Sequence, residues 1–195
     1  MEAESKTLTF GVIADTHIPD RVKSLPAQLI PRLQAAKVDR ILHAGDACNW
    51  RVVRTLERVA PVTIIQGNRD WLLGMRTPRE ITMSANGVRL TLAHGHHSLF
   101  FYFFDKVFHL RKSYNLEHYY QRLLKHYPNS DVIVFGHTHW QIAKWVKGQL
   151  LFNPGAAYPC KRNHYKPRFG ILSISPEGNI RTQFCSLPKV PSNAS

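Results

Sequence analysis

Between residues 7 and 70 the sequence alternates short β-branched runs with helix-patterned stretches, and every run stops abruptly on polar residues. Residues 7–14 form a first strand that leads into Asp15-Thr16-His17. Residues 40–44 form a second, ending in Gly45-Asp46, and residues 61–65 a third, ending in Gly67-Asn68-Arg69-Asp70. In between, residues 27–36 carry Leu29, Ile30 and Leu33 at helical spacing. Residues 50–60 set Val52, Leu56 and Val59 on one helical face and Arg51, Arg54 and Arg58 on another. Pro26 and Pro31 contest the start of the earlier helix, because proline suits the first helical position and is costly further in. A β-α-β-α-β order calls for parallel strands with right-handed crossovers, so the strand carboxyl ends share one edge of the sheet. Ligands of such sheets gather at that edge. Asp15, His17, Asp46 and Asn68 would stand there together.

Beyond residue 70 the pattern changes to hairpins. Asn86-Gly87 is a strong turn signal between residues 80–83 and 88–93, and the second arm delivers His94-Gly95-His96-His97. The apolar run Val132-Ile133-Val134-Phe135 breaks at Gly136 and continues into His137-Thr138-His139. If the chain stays extended there, both imidazoles leave on the same side and offer two metal-ligating nitrogens. Residues 141–146 and 150–152 pair around Lys147-Gly148 and lead to Asn153-Pro154-Gly155, while residues 170–175 and 180–186 pair across Pro176-Glu177-Gly178-Asn179. A frayed tail is expected over residues 187–195. Parallel units followed by hairpins predict an α/β fold: two packed mixed β-sheets flanked by helices, in a single domain over residues 1–195 with its core at about 7–186.

Composition excludes several classes. Apolar residues make up 44% of 195, which suits one globular domain with a sizeable core. Residues 1–6 are polar and acidic, so no secretory signal is expected, and the aromatic run at 99–104 is far too short to span a bilayer. Cys48, Cys160 and Cys185 are odd in number and irregularly spaced, which points to reduced thiols and a cytoplasmic location. The formal charge of +13 favours polyanionic partners, although the basic residues are spread along most of the chain.

Taken in order, Asp15-x-His17, Gly45-Asp46, Gly67-Asn68, His94-Gly95-His96, Gly136-His137-Thr138-His139 and Asn153-Pro154-Gly155 resemble the calcineurin-like metallophosphoesterase superfamily, and most closely its small single-domain bacterial and archaeal phosphodiesterases. The resemblance covers residues 7–186 and implies a four-layer αββα sandwich. It implies two divalent metal ions, manganese foremost, with iron, zinc, cobalt or nickel also suited to oxygen and nitrogen donors. One ion would take Asp15, His17, Asp46 and His139, and the other Asp46, Asn68, His94 and His137, with Asp46 shared. The implied reaction is hydrolysis of a phosphate ester, most closely a phosphodiester or nucleotide-like substrate, by in-line attack of a metal-bridging hydroxide. His96 is expected against a phosphate oxygen. His97 is expected in a structural or surface role, and Asn153-Pro154-Gly155 as a turn closing the site from behind.

This chain departs from the family pattern in two places. Where many family phosphatases carry an Asp–His dyad that protonates the leaving oxygen, this sequence has Asn49 and Arg69. Guanidinium keeps its proton at working pH, so Arg69 is no general acid; its expected roles are charge stabilisation at phosphorus or a surface ion pair with Asp70. The span between His96 and Gly136 is also long, with an aromatic and basic insertion at about 98–128. It is expected to be two helices covering a sheet face, or else a lid or oligomer contact over the site. Lys161, Arg162, Lys166 and Arg168 form a basic loop after the Asn-Pro-Gly turn, a candidate for substrate-phosphate capture and equally a solvated loop. Two other functions remain open on sequence alone. One is a non-catalytic scaffold resembling the retromer subunit of this fold; the other is a nucleic-acid-binding protein or nuclease.

Overall fold

The computed structural model describes residues 6–95 and 116–189. Expectations for His96, His97 and the first part of the aromatic insertion lie outside the described residues, as does the tail from residue 190.

The first sheet contains β1 (Leu8–Ile13), β2 (Arg40–His43), β3 (Val62–Ile64), β9 (Arg168–Ile174) and β10 (Ile180–Ser186), in the order β10-β9-β1-β2-β3. The second contains β4 (Glu80–Ala85), β5 (Val88–Ala93), β6 (Val132–Phe135), β7 (Gln141–Val146) and β8 (Gln149–Pro154), in the order β4-β5-β6-β8-β7. β1, β2 and β3 pair in parallel, and so do β5, β6 and β8, while β4, β7, β9 and β10 are antiparallel additions. Each sheet therefore puts three strand carboxyl ends on one edge.

Strand alternation sorts the core into layers. Val12, Leu42, Leu90, Leu92, Val132, Val134 and Phe152 fill the space between the sheets. One residue over, Ile13 and Ile41 face outward and pack with Leu29, Leu33, Val52, Val53 and Leu56. These come from α1 (Leu29–Ala35) and α2 (Trp50–Glu57). On the far side Ile133, Phe135 and Leu151 meet Tyr119, Tyr120, Leu123 and Leu124 of α4 (Leu116–His126). The short α3 (Asn68–Leu72) follows β3. Helix, sheet, sheet, helix is the predicted four-layer order. Truncating a fully buried side chain such as Leu90 to alanine would destabilise the domain by about 2–5 kcal/mol.

The local details resolve several open points. Pro31 is the third residue of α1, inside the first turn, where its missing N–H has no intrahelical acceptor to lose. Asn49 caps α2, its side-chain oxygen accepting from the Arg51 N–H at 2.8 Å. In the described part of the insertion, Tyr119 and Tyr120 are buried against the second sheet, so this helix is a core cover. Leu187, expected in a frayed tail, is instead 3% exposed, and its N–H donates to the Pro167 carbonyl at 2.8 Å. Among the described residues no helix is long and apolar enough to cross a membrane.

Candidate metal centre

The ligand loops begin where strand pairing continues past the strand ends. The Asp15 N–H donates to the Gly45 carbonyl (3.0 Å), that of His17 to Asp46 (2.9 Å) and that of Ile18 to Ala47 (3.3 Å), so two loops run on as a ladder. The chain is not extended there. Asp15, His17, Asp46, His137 and His139 all have positive φ, from 50° to 68°. The extended-strand reason for pairing residues i and i+2 is therefore replaced by turns through the left-handed region, which cost a non-glycine residue about 1–2 kcal/mol each. Five such residues in one cluster mark a site where backbone strain is held for function.

Behind these loops lies a buried carboxylate, Asp70, expected from the sequence only as an ion-pair partner for Arg69. Asp70 accepts the N–H groups of Asp46 (2.8 Å), Cys48 (2.6 Å) and Gly67 (2.8 Å), tying the loops after β2 and β3 together. Its burial and the neighbouring Asp46 charge push its carboxyl up. Gly67 has to be glycine because a Cβ there would overlap the Asp46 carboxylate. Arg69 pairs not with Asp70 but with Asp20, Nε donating to Oδ2 at 2.9 Å and Nη2 to Oδ1 at 2.7 Å. Its backbone N–H donates to Asp46 Oδ1 at 2.8 Å.

The proposed ligands meet at this edge. Asp15 Oδ1 lies 3.9 Å from His17 Nε2 and 3.5 Å from His139 Nε2. Asp46 Oδ2 lies 3.6 Å from His17 Nε2 and 3.4 Å from His94 Nε2, between the two halves of the cluster. Asn68 Oδ1 sits 3.2 Å from both His94 Nε2 and His137 Nδ1. His94 is oriented by its Nδ1–H on the Ala44 carbonyl at 2.6 Å, which turns Nε2 toward the carboxylates. His17 Nδ1 faces Asp20 (3.5 Å) and the Cys48 sulfur (3.8 Å), and Tyr158 stands 3.5 Å from His139 Nδ1.

These residues fit a cation. Among the described residues, Asp15 Oδ1 and His17 Nε2 are buried with no hydrogen-bond partner, although burying such atoms unpaired is unfavourable unless something else binds them. Asp15, His17 and His139 form one group with ligand-like spacing, and Asp15, Asp46 and His94 another. Burial opposes charge on both rings, yet the carboxylates of Asp46 and Asp15 lift His94 to about 9, and Asp15 with Cys160 lifts His139 to about 9. Burial likewise works against the Asp46 carboxylate, but His94 and His17 hold its pKa well below the usual range. His137, buried beside the His94 charge, is pushed down to about 4. Protonated imidazoles thus balance the carboxylates here, and a divalent cation supplies the same charge while displacing protons.

Around the centre, Asn153 donates to the Gly136 carbonyl (2.8 Å) and the Thr138 hydroxyl (3.1 Å), holding the His137–His139 turn from behind as expected. Of the basic loop, Arg162 reaches the Thr138 carbonyl at 2.7 Å; Lys161 and Lys166 are exposed, and Arg168 is half-buried in β9. Sequence reasoning missed Asp20, the loop-tying role of Asp70, and His43, which is buried 3.3 Å from the Thr16 hydroxyl with its pKa pushed by burial down to about 4. Only Asp70 had a usable signal, as the acidic third residue of a helix that begins after glycine.

Comparison with known proteins agrees with this geometry. Residues 8–177 match the model of the calcineurin-like phosphoesterase superfamily domain. A probable metallophosphoesterase of Methanothermobacter thermautotrophicus is 33% identical over 149 residues, covering 76% of this chain and 77% of the relative. The structure of vacuolar protein sorting 29 from Cryptosporidium parvum superposes with a TM-score of 0.68 at 19% identity, over 94% of this chain and 100% of that one. A structure described as a novel archaeal phosphodiesterase gives 0.56 at 21% identity, over 91% and 100%. At these identities the two structural likenesses speak for the fold. The family match spans most of the chain and falls on the loops that carry the clustered donors, and the protein accordingly belongs to the calcineurin-like phosphoesterase superfamily.

Proposed function

We propose that this protein is a metal-dependent phosphodiesterase with a dinuclear centre. The observation that carries the reading is the convergence of Asp15, His17, Asp46, Asn68, His94, His137 and His139, with Asp46 Oδ2 between the two groups of nitrogen donors. One ion would be held by Asp15, His17, Asp46 and His139, the other by Asp46, Asn68, His94 and His137. Two divalent cations there would acidify water and neutralise phosphate oxygens.

The chain's own groups favour a diester. Asn49, at the position of a leaving-group acid, is a helix cap with its side-chain oxygen occupied. Arg69 keeps its proton, so it binds and orients a phosphate oxygen and steadies charge at phosphorus without protonating a leaving group. Arg162, on the Thr138 carbonyl, is the best placed of the basic loop to meet an anionic substrate, with Lys161, Lys166 and Arg168 as further contacts. His96 is assigned to a phosphate oxygen by its place after His94 and Gly95. Such a site should prefer good leaving groups.

The test is metal analysis and turnover of a chelator-stripped preparation on bis-(p-nitrophenyl) phosphate, with manganese, iron, zinc, cobalt and nickel returned singly. About two metal ions per chain and restored diester cleavage are expected. Faster cleavage of alkyl monoesters than of the aryl diester would overturn the diester assignment. The likeness to vacuolar protein sorting 29 supports a second reading, a non-catalytic scaffold, which a metal-loaded but inert protein would favour.

A further inference from the structure

After Asn68, Arg69 and the buried Asp70, the chain exposes three apolar residues in a row. Trp71, Leu72 and Leu73 are 37%, 53% and 53% exposed. The turn that carries them is fixed at its base. The Leu73 N–H donates to Arg69 (3.0 Å), that of Gly74 to Trp71 (3.2 Å) and that of Met75 to Asp70 (2.8 Å). Met75 is buried in the helix-side core, and its carbonyl accepts from the buried Gln66 side chain at 2.9 Å. At Gly74, a Cβ would meet nothing within 4 Å among the described residues, so the tip stands clear of them. The side chains are exposed on a fixed backbone, and the metal centre requires none of them.

The charge beside the turn is positive. The Arg76 guanidinium lies over the Trp71 ring at 5.5 Å, and Arg79 is exposed three residues on. The neighbouring acid, Glu80, is engaged by the Tyr127 hydroxyl at 2.6 Å. The whole chain carries +13. Apolar side chains with tryptophan at their margin and flanking arginines suit a water–lipid boundary with anionic headgroups. A protein partner fits less well. Specific interfaces bury roughly 800 Å² per side, which three side chains do not approach, whereas a lipid leaflet admits a single projecting turn without a matching surface.

We propose that the Trp71-Leu72-Leu73 turn docks on an anionic lipid surface, with Arg76 and Arg79 meeting headgroup phosphates. The edge of the fold that carries Asn68 then faces that surface. This inference does not depend on the diesterase reading, because the docking turn contributes no donor to the centre.

Flotation of the full chain with phosphatidylcholine vesicles containing about one-third phosphatidylglycerol tests it, against vesicles of phosphatidylcholine alone. The wild type should float with the anionic vesicles, less as salt rises, and weakly with the neutral ones. Leu72→Ser/Leu73→Ser should lower partitioning by roughly tenfold or more while leaving turnover of a soluble diester unchanged. Should that variant melt abnormally, Arg79→Glu, which reverses an exposed charge and leaves the Arg76 contact with the Trp71 ring in place, must weaken flotation with the anionic vesicles instead. The proposal falls if the wild type stays with the buffer, if it floats equally on neutral vesicles, or if folded variants bind as well as the wild type. It falls equally if light scattering shows a lipid-free dimer that the serine variant dissociates, since the turn would then serve a second copy of the chain.

Discussion

The loops after β1, β2 and β3 are bonded to one another, whereas those after β5 and β6 are hung from them. In the first group, Asp15 and His17 ladder onto Gly45 and Asp46, and Asp70 gathers the amides of Asp46, Cys48 and Gly67. In the second, His94 reaches across to the Ala44 carbonyl, and the His137 N–H donates to Asp15 Oδ2 at 3.1 Å. The carboxylate half is thus self-supporting, while the imidazole half takes its position from that half and from Asn153. Fixed oxygen donors set where charge sits, and histidines aligned to them would complete the coordination of a bound cation.

The sharpest way to break this division is at Asp46, the donor proposed to bridge the two ions. Asp46→Asn should abolish binding at both positions and lower diester turnover by a hundredfold or more, roughly, with metal content measured on the same sample. Asn68→Ala should instead cost one ion per chain. If Asp46→Asn retained a full complement of metal, the bridging assignment would be lost.

Asp70→Ala attacks the carboxylate half without touching a donor. It leaves three buried N–H groups unpaired, each costing about 1–3 kcal/mol. A loss of several kcal/mol in denaturant unfolding is expected, on that basis, together with weaker metal binding. A variant with near-normal stability would show that water replaces the carboxylate easily, and the first loop group would not be self-supporting.

How much of this could be read in advance depended on how local each signal was. The apolar runs were sufficient for the strands, because a run such as Val132, Ile133, Val134, Phe135 is written in consecutive residues. The donors were legible for the same reason, as each lies within four residues of a strand end. Their conformation was not. Nothing in Asp15 or His137 announces a positive φ, which comes from bonds to loops brought alongside only in the folded chain. Asp20 escaped notice because its partner Arg69 is 49 residues away, and Asp70 was given the wrong partner because adjacency in sequence favoured Arg69.

Asn153→Ala tests the imidazole half alone. It removes donors to the Gly136 carbonyl and Thr138 hydroxyl and an acceptor for the Gly155 N–H at 2.9 Å. About 1–3 kcal/mol of stability should go, less than for Asp70→Ala. Metal affinity should fall through His137 and His139, on the order of tenfold, while Asp46 keeps its amide contacts. An effect as large as that of Asp70→Ala would erase the distinction between the halves.

The smallest expected effect separates support of a donor from placement of a substrate group. Asp20 accepts both arms of the Arg69 guanidinium and also lies 3.5 Å from His17 Nδ1. The pair is partly exposed, so Asp20→Asn should change stability by less than about 1 kcal/mol. If Asp20 works through Arg69, kcat on the aryl diester should fall roughly threefold to tenfold with metal content intact, and Arg69→Ala in the Asp20→Asn background should add less than it does alone. If it works through His17, metal content falls and Arg69→Ala remains fully additive. Under that outcome Asp20 joins the carboxylate half as the residue that orients His17, and Arg69 loses its positioning partner.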